Sequence, residues 1–206
     1  MSRLEDTRQK ALDDLRESGV LMRDGHFDYG NGYHGSVYLN PHQLFRRPST
    51  IWRFAQDLLD ILPASVVSST EVVAGPVTGG ALLAHTIAGL LDSRRSLTHP
   101  SCCFAPFHIA RSGGFVLRSF YRHEIEGKRV LLADDVRNTG QTLAQCATLV
   151  KEAGGELIGT AVIYDRGAPL ATLEVPNYSL AEYQAPANVP VGDCPLCKAG
   201  LPIIAF

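Results

Sequence analysis

One run constrains this chain more than any other. Val130, Leu131, Leu132 and Ala133 lead into a pair of acids, Asp134 and Asp135, and then into Val136, Arg137, Asn138, Thr139, Gly140, Gln141 and Thr142. An unbroken apolar stretch of this length reads as a strand buried on both faces. The residues from about Gly140 to Ala153 place Leu143, Cys146, Ala147 and Val150 at helical spacing, and Gly154 and Gly155 end that pattern. A buried strand that feeds directly into a helix needs a parallel partner strand beyond it.

The middle of the chain supplies such partners. Ser49 to Leu62 reads as a helix with Pro48 at its start, a stripe of Ile51, Phe54, Ala55, Leu58, Leu59 and Leu62, and Pro63 as its stop. Glu71 to Ala74 reads as a strand, Ala81 to Leu91 as a small-residue helix, Cys102 to Pro106 as a strand and Leu157 to Tyr164 as another. Phe115 to Tyr121 fits either a strand or a mobile arm. This alternation predicts an α/β fold, a Rossmann-like and mostly parallel sheet flanked by helices on both faces. Residues 3 to 17 are expected to be helical, with Gly19 as the stop. The less regular stretches, about 20–40 and 165–206, are expected to form a small hood on a single domain spanning 1–206.

Charge narrows the function. With a formal net charge of -2 at pH 7, the chain lacks the basic excess of a non-specific nucleic-acid binder. An anionic ligand must therefore be held by a local site. The polar N-terminus carries no apolar signal-like segment, and no window is long and apolar enough to span a bilayer. A cytoplasmic protein with no membrane partner is expected. Five cysteines, an odd number, argue against a disulfide framework.

The chemistry of Asp134 to Thr142 can be read residue by residue. Backbone N–H groups at a helix start can surround a phosphate. Gly140 lets the chain approach the anion closely, and Thr139 and Thr142 add hydroxyls. Asp134 and Asp135 suit sugar hydroxyls, or a magnesium ion held indirectly. A plain helix cap is the structural alternative. Neither the Walker pattern nor the dinucleotide fingerprint is present.

With its two acids and Thr-Gly-x-Thr turn, this run resembles the type I phosphoribosyltransferases. In that family the loop binds the 5-phosphate of phosphoribosyl pyrophosphate, which implies substrate contacts from Arg137, Asn138, Thr139, Gly140, Gln141 and Thr142 and ribose contacts from Asp134 and Asp135. Other segments resemble the orotate branch. Gly25, His26 and Phe27, followed by Tyr33, His34, Gly35, Ser36, Val37 and Tyr38, are similar to its base-binding hood, with Phe27 and Tyr33 as candidate stacking faces. Ala74, Gly75, Pro76, Thr78, Gly79 and Gly80 resemble the pyrophosphate loop. Arg166, within Tyr164 to Gly167, resembles an arginine that meets the orotate carboxylate. Arg118 and Arg122 match positive positions of a mobile catalytic arm, while Ser119 stands where that branch carries a lysine. The resemblance implies a magnesium-dependent transfer of phosphoribosyl to a nucleobase, foremost orotate, by a homodimer. Transfer to another purine or pyrimidine, and a non-catalytic domain that binds phosphoribosyl pyrophosphate for regulation, remain open.

Cys194 and Cys197 form a Cys-x-x-Cys knuckle. Such a pair fits half of a structural zinc site, completed by Cys102 and Cys103 or by a histidine. It also fits a redox pair, or two idle thiols in a turn.

Overall fold

The computed structural model describes residues 3–17, 19–29, 32–40, 42–95, 98–167, 173–182 and 188–204. The chain opens with α1 (Arg3–Glu17), which has Glu5 and Asp6 in its first turn and Arg16 in its last, matching the helix dipole. Gly19 adopts a left-handed φ of 69°. The amides of Gly19 and Val20 turn back onto the Arg16 and Leu15 carbonyls, which closes the helix.

Four short strands follow: β1 (Leu21–Met22), β2 (Phe27–Asp28), β3 (Tyr33–Gly35) and β4 (Tyr38–Leu39), and then the single turn α2 (His42–Phe45). Helix α3 (Pro48–Ile61) starts on its proline and buries Ile51, Phe54, Ala55, Leu58 and Leu59 along one stripe. Helix α4 (Ala64–Ser69) leads to β5 (Val72–Pro76), α5 (Gly79–Arg94), β6 (Cys103–Ile109), β7 (Phe115–Val116), α6 (Ser119–Ile125), β8 (Arg129–Arg137), α7 (Gln141–Glu152) and β9 (Glu156–Asp165). The chain ends in β10 (Asn177–Glu182), β11 (Val189–Pro190), a 3-10 turn (Val191–Asp193) and α8 (Pro195–Lys198).

The main sheet has six strands in the order β10-β9-β8-β5-β6-β7. Every neighbouring pair is parallel except β6 with β7. Side-chain alternation divides the core in two. Val73, Leu131, Ala133, Ala161 and Ile163 pack beneath α1, α3 and α5, whereas Val72, Ala74, Val130, Leu132 and Val162 pack beneath α6 and α7. The α/β sheet with helices on both faces is the architecture expected from the sequence. No helix among the described residues is long and apolar enough to cross a membrane.

Two elements differ from expectation. The segment Phe115 to Tyr121 divides into β7 and the first turn of α6, because Ile125 is fully buried and anchors the helix to the core. The stretch after residue 165 does not go wholly to the hood: β10 adds to the main sheet alongside β9, with Leu180 and Ala181 in the core. What remains of it does meet the hood, since β11 pairs with β3 in a three-stranded sheet ordered β11-β3-β2.

Strand order places the crevice. From β5 the chain moves outward to β6, then returns to set β8 on the other side of β5. The carboxyl ends of β5 and β8 therefore flank a topological switch point, where sheets of this type open to ligands.

Candidate active site

Asp134 and Asp135 stand near the end of β8. Asp134 is buried, and its Oδ1 accepts the Asp135 amide at 3.0 Å; Asp135 Oδ1 accepts the Val136 amide at 2.7 Å. Burial pushes the Asp134 carboxyl well above the usual carboxylate range, and the charge of Asp135 pushes it further. The two acids press against the start of α5. A Cβ on Gly79 would sit 2.1 Å from Asp135 Oδ2, and one on Gly80 would sit 2.8 Å from Asp134 Oδ1 and from the Ala133 carbonyl. Only glycine allows the β5 loop and the acids to meet so closely. Thr78 caps α5 with no side-chain hydrogen bond to its amides.

Strand β8 runs further than expected, through Arg137, so the turn itself is Asn138 to Gly140. Gly140 takes a left-handed φ of 80° at the N-cap of α7. The nearest hydroxyl, Thr139 Oγ1, reaches the Gln141 amide only at 3.5 Å. The first-turn amides of α7 thus point outward beside Thr139 and Thr142, a geometry suited to an anion.

A cavity of about 170 Å³ lies beside this turn, lined by Tyr29, Val37, Tyr38, Leu39, Val136, Asn138, Tyr164 and Arg166. Hood strands form one wall and the ends of β8 and β9 the other. The Tyr29 and Tyr38 rings stack at 6.2 Å between centroids. The Tyr29 hydroxyl donates to the Val37 carbonyl. It fits over Gly35, where a Cβ would meet it at 2.3 Å. Burial raises the Tyr29 pKa, and the positive charge of Arg166 works against that rise. Arg166 donates to Asn138 Oδ1 at 3.4 Å and to Asn188 Oδ1 at 3.2 Å. The cavity joins apolar and aromatic walls to one cationic end, which suits a small flat ring bearing an anionic group. A larger hollow of about 650 Å³, near Leu59, Val67 and Arg95, has a single acid, Asp60, in its lining and no acid pair.

The structure brings Thr78, Gly79, Gly80, Asp134, Asp135 and the 138–142 turn to one crevice and sets Arg166 next to it. Four expected site residues fall elsewhere. Arg137 is buried and paired with Asp165, whose carboxylate also accepts from Asn177 and from the Gly167 amide; its side chain is structural. Phe27 is 1% exposed, packed inside the hood against Tyr38, and has no free face for a base. Tyr33 lies on β3 opposite Pro190 and outside the cavity. Arg122 donates to the Glu152 carbonyl at 2.9 Å. Glu152 ends α7, a helix length or roughly 18 Å from the turn, so Arg122 is held toward the other end of the strands, away from the crevice. Arg118 is exposed at the N-cap of α6. It lies near enough to His108 that burial, together with its charge, lowers the imidazole pKa.

Sequence reasoning missed Tyr29 as a cavity residue and used Tyr38 only as a motif position. The signal for Tyr29 is indirect, since it lies two residues beyond Phe27 and depends on Gly35 to fit.

The chain is similar in sequence and fold to known proteins. The phosphoribosyl transferase domain family matches residues 53–196. The orotate phosphoribosyltransferase of Caulobacter vibrioides (strain NA1000 / CB15N) is 31% identical over 198 residues, covering 96% of this chain and 94% of that protein. The crystal structure of orotate phosphoribosyltransferase from Aeropyrum pernix superposes with a TM-score of 0.65 at 24% identity, covering 84% of this chain and 93% of that one. The Mycobacterium tuberculosis orotate phosphoribosyltransferase, solved in complex with 5-phospho-α-D-ribosyl 1-diphosphate, shares the fold with a TM-score of 0.57 at 18% identity, over 86% of this chain and 89% of that one. The chain belongs to the phosphoribosyltransferase family.

Proposed function

We propose that this enzyme transfers the phosphoribosyl group of phosphoribosyl pyrophosphate to orotate, giving a nucleoside monophosphate and pyrophosphate. One observation carries the choice of base: a ring-sized cavity with Arg166 at one end opens beside Asn138, in the same turn that offers its amides to a phosphate. A nucleotide bound across this junction has its anionic base on Arg166 and its 5-phosphate on residues 138–142. The relatives named for orotate support the same reading.

The division of labour follows from chemistry. The amides of Thr139 to Thr142 hold the 5-phosphate. Asp134 and Asp135 accept hydrogen bonds from the ribose hydroxyls, which favour the charged form of Asp134 that burial and Asp135 otherwise oppose. Thr78 to Gly80 hold the pyrophosphate at the start of α5. The hard carboxylate oxygens abutting Gly79 and Gly80 fit a magnesium ion brought in with the pyrophosphate. When bound, magnesium offsets the charge of the leaving group. Arg118 adds positive charge from the β6 side. Tyr29, Tyr38 and Leu39 exclude water from the face where the base nitrogen meets the sugar carbon. The proposal also includes a cytoplasmic homodimer.

A second reading is supported by the arm. Ser119 stands where the orotate branch carries a lysine, and Arg122 is engaged by the Glu152 carbonyl at the far end of α7. A regulatory domain that binds phosphoribosyl pyrophosphate without turnover would have this form. A panel of bases assayed with magnesium and phosphoribosyl pyrophosphate separates the readings. Orotate is expected to react best. Preferred turnover of adenine or uracil would overturn the base assignment. Calorimetric binding of phosphoribosyl pyrophosphate with no turnover of any base would favour the regulatory domain.

A further inference from the structure

The C-terminal knuckle meets two histidines that the site described above does not use. One ligand atom each from His26, His34, Cys194 and Cys197 lies within 4.8 Å of all the others. His26 and His34 are 3% exposed and Cys194 is fully buried. Cys102 and Cys103, considered above as partners for the knuckle, are not in the cluster.

The spacing is that of a tetrahedral site. With metal–nitrogen bonds near 2.05 Å and metal–sulfur bonds near 2.3 Å, a nitrogen–sulfur edge is about 3.6 Å. The Sγ atoms of Cys194 and Cys197 lie 3.6 and 3.5 Å from His26 Nε2. Cys197 Sγ to His34 Nδ1 is 3.2 Å and His26 Nε2 to His34 Nδ1 is 2.9 Å, both a few tenths shorter than the corresponding edges.

The outward ring atoms are engaged too. His26 Nδ1 is 2.8 Å from the Leu201 carbonyl, which can only accept, so Nδ1 carries the proton and Nε2 turns a lone pair inward. His34 Nε2 faces the Asp28 carboxylate at 3.8 Å, leaving Nδ1 inward. A carbonyl or carboxylate behind a histidine is the usual support of a ligating imidazole. A proton between the two rings would satisfy that one contact and leave both sulfurs directed at an acceptor already in use. One cation satisfies all four groups.

We propose that His26 Nε2, His34 Nδ1, Cys194 Sγ and Cys197 Sγ hold a structural zinc ion. Two neutral imidazoles and two thiolates form a closed donor set of the kind zinc takes in structural sites. The metal fastens the C-terminal segment to the hood. The backbone already follows that path: β11 pairs with β3, the Val191 amide bonds the Gly32 carbonyl, and the Ile204 amide bonds the His26 carbonyl. Through Asn188, just before β11, the same segment touches Arg166. Loss of zinc is therefore expected to raise the KM for the base more than that for phosphoribosyl pyrophosphate. This kinetic consequence rests on the proposed base pocket; the metal site does not.

The test is metal analysis of the full-length protein, produced without a histidine tag, by plasma mass spectrometry. About one zinc per chain is expected, falling to background in Cys194→Ser and His34→Ala. Should those variants fail to fold, cobalt exchanged into the wild-type protein gives a second readout, an intense thiolate-to-cobalt charge-transfer band with tetrahedral d–d bands. Folded wild-type protein that carries no zinc and gives no such band would overturn the proposal. So would stoichiometric iron or copper in its place, or a Cys194–Cys197 disulfide in freshly isolated protein.

Discussion

Asp134 sits in an environment far from that of a free side chain. Its pKa in the fold is raised by burial and then by Asp135. Stability from this group is therefore full below the ordinary carboxylate pKa and is lost as pH rises through the folded value, where a charge must form in a buried place beside Asp135. Asp134→Asn removes that loss. At neutral pH its Tm is expected to equal or exceed the wild-type value, while turnover falls by about a hundredfold or more as a group facing the ribose is lost. Thermal melts across pH together with steady-state rates check both parts. Arg137 is predicted to behave in the opposite way. Truncating it leaves Asp165 charged and buried, so Arg137→Ala should destabilise the fold by about 3–5 kcal/mol, read by urea denaturation. Sequence alone could not separate these two roles. Asp134 and Arg137 belong to one motif, and only the parallel register of β8 on β9, which sets Arg137 opposite Asp165, shows which side chain turns inward.

Among the elements, the turn from β8 to α7 depends on Gly140. A side chain there must adopt φ 80°, which costs about 1–2 kcal/mol. Gly140→Ala should lose stability of that order and raise the KM for phosphoribosyl pyrophosphate, measured by initial rates. The segment after β7 makes a different prediction. With Arg122 bonded to the Glu152 carbonyl, away from the crevice, Arg122→Ala should leave kcat within about twofold of wild type. Arg118→Ala should slow turnover at saturating substrate. Equal losses in the two variants would return Arg122 to the catalytic arm. The helix boundaries were largely legible, because Pro48, Gly19 and Gly140 are local signals that act through φ or a missing N–H. The helical start of this segment was not, since Phe120 is exposed and Tyr121 only half-buried, and the deep anchor of the helix, Ile125, lies beyond the stretch that reads as an arm.

At the level of the molecule, alternation of apolar runs and helical stripes was enough to fix a parallel sheet, because a two-faced buried strand has few other homes. Strand order was not readable from it, and strand order is what opens the crevice between β5 and β8. The hood was less legible for a related reason. Its strands are two or three residues long, too short for periodicity, and its third strand, β11, comes from the other end of the chain. The cavity depends on that union: Tyr29 and Tyr38 come from the hood, Arg166 from the end of β9. A crystal structure with the nucleoside monophosphate of orotate tests this account most directly. The phosphate is predicted on the amides of residues 139–142, the ribose hydroxyls on Asp134 and Asp135, and the base carboxylate on Arg166. A phosphate bound away from that turn, or a base that leaves Arg166 untouched, would contradict it.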